Sequence, residues 1–198
     1  MNRNDSYNLL KKYLKNKNLQ KHCLACEAAM KALYKKLTPE SKQNPNDEQE
    51  WATAGLLHDI DYEIAQNENK LDRHGALFFE DPKYTQEANH IPENIKHSIQ
   101  AHNFEYTGVQ PKSQMDWAIA NVDALTGLIV ACALIHPDRK LASIDTDFVM
   151  KRFGEKAFAK GARRESISRC EETLNIPLQE FVDTTLKAMQ DMHEELGL

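Results

Sequence analysis

Apolar positions recur along the chain with the three- to four-residue spacing of amphipathic helices, and strand-like alternation is almost absent. Between 19 and 37 the apolar or small residues Leu24, Ala28, Leu33 and Leu37 follow this rhythm, and the segment stops at Thr38-Pro39. A polar turn at 41–47 leads to a second helix over 48–60, for which Asp47 is the expected N-cap. Short helices are expected over 74–80 and 92–102, the latter opened by Pro92. A long helix over 113–135 ends before Pro137, and helices over 145–153, 162–174 and 178–195 follow. The chain has no internal repeat, low-complexity tract or Gly/Ser linker. The pattern predicts an all-α fold: one domain over 1–198, with a helical-bundle core at about 18–136 and a C-terminal helical extension at about 137–198.

The segment 117–135, WAIANVDALTGLIVACALI, is about as long as a membrane span. Asp123 lies well inside it, however, and a charge at the centre of a bilayer is costly. A core helix is therefore the expectation, with no membrane association. Composition agrees: 41% hydrophobic and 28% charged residues in a chain of 198 suffice for one buried core. A net charge of −5 carries no basic excess, so nucleic acid is not an obligate partner. The N-terminal run MNRNDSYNLLKKYLKN lacks the apolar core of a signal peptide, and a soluble, cytoplasmic protein is expected.

Cys23 and Cys26 form a C-x-x-C, but within the helical stretch HCLACEAAMKALYKKL. A structural zinc site needs a second ligand pair at short spacing, and Cys132 and Cys170 are far apart. The four cysteines read as small core residues without a disulfide framework.

Three features carry chemistry. Asp123, in the middle of an apolar helix, must be protonated, paired with a cation or bound to a metal, because burying it bare is too expensive. In AGLLHDIDYE a hydrophobic helix delivers His58 and Asp59 to its own C-terminal end. Imidazole nitrogen and carboxylate oxygen at ~2.0–2.2 Å suit zinc, manganese or iron. Four further histidines, His22, His74, His97 and His102, lie in or near helical segments. His97 and His102 stand ~140° apart around a helix, so only one of them can face a common centre. His102, at the helix end, is better placed to point into a cleft, and Gly75 after His74 permits close backbone approach.

The order His22, His58-Asp59, His74, His102, Asp123 resembles the HD superfamily of metal-dependent phosphohydrolases, and more closely its HDIG-type members with six ligands. The matching pieces are HCLACEAAM, AGLLHDIDYE, RHGALFF, IKHSIQAHN and NVDALTGLIVACALIHPDRKL, within roughly 20–170. Ile60-Asp61 stands where the family label has Ile-Gly. The resemblance implies an HD-domain-like helical bundle. It also implies a first metal held by His22, His58, Asp59 and Asp123, with Asp59 bridging to a second held by His74 and His102. The implied cofactor is a divalent transition metal, two ions of iron, manganese or zinc.

The implied reaction is cleavage of a phosphoester or phosphoanhydride of a nucleotide or small phosphorylated metabolite by metal-activated water; members with the six-ligand order are similar to diadenosine tetraphosphate hydrolases. Two alternatives stand beside it: a di-iron oxygenase of the same fold acting on a small organic substrate, and a nucleotide-sensing binding module. Asp61 and Glu63, just after the metal pair, are the expected catalytic acids alongside Asp59, orienting a histidine or moving protons. Arg73, Arg139 and Lys140 are the expected phosphate-binding residues, the last two because they follow the Asp123 helix directly. Lys156, Lys160, Arg163 and Arg164 are further candidates. The oligomeric state is left open.

Overall fold

A computed structural model describes all 198 residues, which form helices and turns without strands. The first helix, α1 (Arg3–Tyr13), is capped by the Asn2 side chain, which accepts a hydrogen bond from the Asp5 amide. It buries only Ser6 and Leu10, too few positions to write a hydrophobic stripe into a polar segment. Helix α2 (Lys17–Leu37) begins at Asn16, whose side chain accepts from the Asn18 and Leu19 amides, and ends at Thr38 before Pro39.

Helix α3 (Pro45–Leu57) starts earlier than the polar pattern predicts. Its cap is Asn44 rather than Asp47: the Asn44 side chain accepts from the Asn46 amide, and Pro45 takes the first helical position. Asp47 instead sits inside the first turn, where its charge meets the positive end of the helix dipole. The helix stops at Leu57 and hands His58 and Asp59 to a turn before α4 (Tyr62–Asn67). Short helices α5 (Leu77–Glu80) and α6 (Thr85–Ala88) lead to α7 (Glu93–His102), opened by Pro92, and then to α8 (Phe104–Thr107).

The long helix α9 (Gln114–Ile135) carries a capping box: the Ser113 hydroxyl accepts from the Asp116 amide while Asp116 accepts from the Ser113 amide. Its most apolar window reaches a mean hydropathy of 2.0, and most of that window is buried. An all-round apolar helix of this kind is a core helix, packed here against α2, α3 and α7. The chain continues through α10 (Thr146–Gly154), α11 (Arg164–Ser168) and α12 (Cys170–Thr173). It ends with α13 (Leu178–Asp191) and α14 (His193–Leu196). The single helices expected over 162–174 and 178–195 are thus each broken, at Arg169 and Met192.

Helix α2 is the hub, lying against α3, α9 and α13, while α7 covers α9 and α3 from another side. One buried apolar cluster runs from Leu10 to Leu196 and takes Leu57, Ile99 and Leu125 from one side of residue 137 and Ile167 and Phe181 from the other. Each fully buried side chain of this size contributes ~1.5–3 kcal/mol. Helices α2 and α3 cross very closely at Gly55, where a Cβ would stand 2.5 Å from the Cys26 carbonyl oxygen. This crossing brings the beginning of α2 beside the end of α3.

Candidate metal centre

Four histidines converge at that crossing, and in each one the backbone or a hydroxyl decides which nitrogen faces the centre. Nδ1 of His58 lies 2.8 Å from the Gly55 carbonyl, Nδ1 of His74 2.6 Å from that of Leu71, and Nδ1 of His102 2.5 Å from that of Ile99. A carbonyl can only accept, so Nδ1 carries the proton in all three and Nε2 is presented inward. His22 is held through Thr126: its hydroxyl donates to the Asp123 carbonyl at 2.9 Å, leaving the oxygen to accept from Nδ1 of His22 at 3.2 Å. Such outer hydrogen bonds orient imidazoles that bind metals.

Asp59 stands at the middle with its two oxygens facing different partners. Its Oδ2 lies 3.4 Å from His58 Nε2 and 3.7 Å from His22 Nε2, and its Oδ1 lies 3.7 Å from His74 Nε2 and 3.8 Å from His102 Nε2. On the first side Asp123 closes the group, its Oδ1 3.0 Å from His22 Nε2 and 3.7 Å from His58 Nε2. The two imidazole nitrogens of His22 and His58 are 3.2 Å apart. The structure thus brings together all six residues expected as ligands. His97, five positions before His102, turns away and sets its Nδ1 3.0 Å from Asp116 Oδ2.

These donors fit a divalent ion. Two donors each ~2.1 Å from one ion stand ~3–4 Å apart, which is the range observed. The Nε2 atom of His102 is buried and has no hydrogen-bond partner. Burial, with His58 and His74 alongside, lowers the His102 pKa to about 4, so this buried nitrogen is a free lone pair aimed at Asp59. On the other side, burial alone would lower the His58 pKa, yet the negative charges of Asp59 and Asp123 hold it up at about 10. Cys26 and Asp123 raise His22 against its burial, and the two histidines pull Asp123 well below the usual carboxylate range. A buried set of imidazoles and carboxylates kept neutral only by shared protons is one that a cation can replace.

The surrounding residues act mainly as supports. Asp61 is completely buried and its two oxygens accept from the Gly75 amide at 2.6 Å and the Phe78 amide at 3.1 Å. Burial pushes its pKa up to about 6. It holds the His74 segment rather than facing the donors. Gly75 has a φ of +88° and lies against the His102 ring, where a Cβ would be 2.6 Å from Cε1. Asn103 donates to the Asp72 carbonyl at 2.8 Å and to the His74 carbonyl at 3.3 Å. Asp116 accepts from Ser98 on α7 while capping α9, and so locks the helix bearing His102 to the one bearing Asp123.

The other expected residues lie elsewhere. Glu63 accepts from the Lys15 and Asn16 amides ahead of α2, which engages its carboxylate away from the donors. Arg73 is next to His74 but makes two contacts with Glu80, at 2.6 and 2.7 Å. Arg139 and Lys140 are exposed and do not line the cleft at the centre. Asp123 lies twelve residues before Ile135, so ~18 Å of helix separates it from the α9 terminus that precedes them.

A cleft of about 340 Å³ opens directly at His22 and Asp123, and its opposite wall is Ala159, Gly161, Ala162 and Arg163. Arg164 shapes this wall from behind: its guanidinium donates to the carbonyls of Phe158 and Ala162 at 2.7 Å and of Ala159 at 2.9 Å. Arg163 itself reaches Glu105 at 2.6 Å, where Arg169 also binds. Spacing in the chain could not have revealed this, because Arg163 is forty residues beyond Asp123 and arrives through tertiary packing. Cys26 could have been noticed: it follows His22 by one helical turn and shares its face. His22, Cys26, His58 and Asp123 each offer a donor atom, all within 4.8 Å of one another.

An all-helical fold around a buried His-Asp pair, with histidines and an aspartate gathered from four other segments, defines a class. The HD domain family model matches residues 19–128, more than half of the chain. The chain belongs to the HD domain family, a superfamily of metal-dependent phosphohydrolases. No curated protein and no solved structure matches it.

Proposed function

We propose that the protein is a two-metal phosphohydrolase that cleaves a phosphoester or phosphoanhydride of a nucleotide or small phosphorylated metabolite. The observation that carries this reading is Asp59, whose two oxygens face two separate donor groups beside the partnerless Nε2 of His102. His22, His58, Asp59 and Asp123 would hold one divalent transition metal, and Asp59, His74 and His102 the other. When bound, such a pair supplies an activated water and neutralises charge on phosphoryl oxygens.

The chain's own residues do the rest. The four imidazoles, each fixed through Nδ1, turn Nε2 toward the centre without reorientation. Arg163 on the opposite wall supplies a cation that can contact a phosphate oxygen once it shares or leaves Glu105. Lys156 and Lys160 form no ion pair and line an adjoining hollow with Arg163, along which a longer phosphate chain could extend. Asp61 acts as a positioning residue behind His74.

The test is elemental analysis of protein purified without chelating resin, combined with a panel of nucleotides and phosphorylated metabolites. Two equivalents of transition metal and metal-dependent phosphate release are expected. Asp59→Ala should lose both equivalents and His102→Ala mainly one. Absence of both bound metal and metal-dependent turnover overturns the proposal, and product formation that consumes oxygen stoichiometrically assigns the oxygenase chemistry instead.

A further inference from the structure

Three of the four cysteines behave as core residues. Cys132 and Cys170 are fully buried within the apolar cluster, and burial pushes their thiols up to about 11 and about 12. Cys23 is likewise buried, and burial raises its thiol. Cys26 is as deeply buried but faces different neighbours. Its Sγ lies 4.0 Å from His22 Nε2 and 3.5 Å from Thr126 Oγ1, the hydroxyl that orients His22. Its backbone carbonyl is pressed against Gly55, so the sulfur's position is set by the closest crossing of α2 and α3.

The distance to His22 is informative. At 4.0 Å sulfur and nitrogen are at the outer limit of a hydrogen bond, but two donors ~2.1 and ~2.3 Å from one ion stand ~3.6 Å apart at a tetrahedral angle. A small rotation of Cys26 spans the difference. His22, Cys26, His58 and Asp123 each offer a donor atom within 4.8 Å of the others, so the sulfur belongs to the donor group on this side of Asp59.

We propose that Cys26 Sγ is a further donor to the ion held by His22, His58 and Asp123. The position then becomes a mixed sulfur, nitrogen and oxygen site selective for thiophilic divalent metals over magnesium and manganese. The inference rests on the metal-centre reading above. On binding, the S–H bond breaks, a sulfur–metal bond forms and the proton leaves to solvent; no electrons are transferred. Thiolate donors favour zinc, ferrous iron and cobalt, whereas oxygen donors suit magnesium and manganese.

Metal-free full-length protein is titrated anaerobically with cobalt(II). Wild type should develop the visible bands of bound cobalt together with a near-ultraviolet thiolate-to-cobalt band. The latter should persist in Cys23→Ser and vanish in Cys26→Ser, while both variants still bind cobalt. Competition should show the preference for zinc over manganese falling about tenfold or more in Cys26→Val. X-ray absorption of zinc-loaded wild type, which needs no variant, should show a sulfur neighbour at ~2.3 Å. Bound cobalt without a thiolate band, a band that survives Cys26→Ser, or zinc without a sulfur neighbour overturns the assignment of Cys26 and leaves the metal centre standing. Failure of wild type to bind cobalt or zinc at all overturns the metal-centre reading, and this inference with it.

Discussion

The carbonyl of Gly55 accepts the Nδ1 proton of His58 at 2.8 Å, so the residue at the helix crossing also selects the nitrogen that His58 turns inward. Gly55→Ala would set a Cβ 2.5 Å from the Cys26 carbonyl, backbone against backbone, and α2 and α3 would have to separate. Overpacking of this kind costs ~1–3 kcal/mol. The expected outcome is a melting temperature lowered by several degrees together with reduced metal content. Gly127→Ala, inside α9 with nothing within 4 Å of its Cβ, is the control and should gain ~0.5–1 kcal/mol. Equal stability of Gly55→Ala and wild type would contradict the close-crossing account.

Asp61 separates a positioning role from a proton-transfer role. Asp61→Asn keeps one acceptor and turns an amide donor toward the Gly75 or Phe78 amide, at a cost of ~1–3 kcal/mol. Metal content at the His74 and His102 side should fall with stability, and excess metal should restore part of the turnover. A variant with full metal content and an unchanged melt, yet a collapsed kcat, would return Asp61 to proton transfer.

Asp116 predicts a pH dependence. Burial pushes its pKa up, but the Ser98 hydroxyl and the Lys112 and Ser113 amides outweigh burial and hold it below the ordinary carboxylate range. A carboxyl depressed in the folded state contributes stability that is present above its unfolded pKa of ~3.9 and is lost as pH falls through the folded value. Asp116→Asn should therefore melt well below wild type at neutral pH, and the two curves should approach each other below about pH 4. Melts recorded between pH 3 and pH 7 test this; a gap of constant size refutes it.

Arg164 predicts a local effect. Arg164→Met strands the carbonyls of Phe158, Ala159 and Ala162, so 153–162 should become the first site of limited proteolysis. KM for a phosphorylated substrate should rise more than kcat falls, because this wall faces the donors across the cleft. Unchanged proteolysis would mean that the loop holds itself.

That these six residues converge was legible because they are chemically rare in their surroundings. Asp123 interrupts an apolar helix, and His58-Asp59 ends one, so both stand out from a hydrophobic background. Helices α2 and α7 were legible because each writes its buried face into the pattern, and α9 because it is apolar along most of its length. Helix α1 was not, because its inward face is little more than Ser6 and Leu10. Chain proximity is not spatial proximity for the cations: Arg139 and Lys140 follow the Asp123 helix but lie beyond its far end, whereas Arg163 reaches the cleft. Asp61 adjoins Asp59 in sequence, yet the turn after α3 points it at the Gly75 amide. Directions within a turn leave no periodic trace.

The two sides of Asp59 differ in what carries them. His22 and Asp123 ride on the two longest helices through the core, whereas His74 hangs from a largely exposed stretch, 68–76, tied down by Asp61 and Asn103. Opening that stretch costs far less than unfolding α2 or α9. The centre therefore has supports of two kinds: the His74 arm can swing away with its loop, whereas His22 and Asp123 keep their places until the whole fold opens.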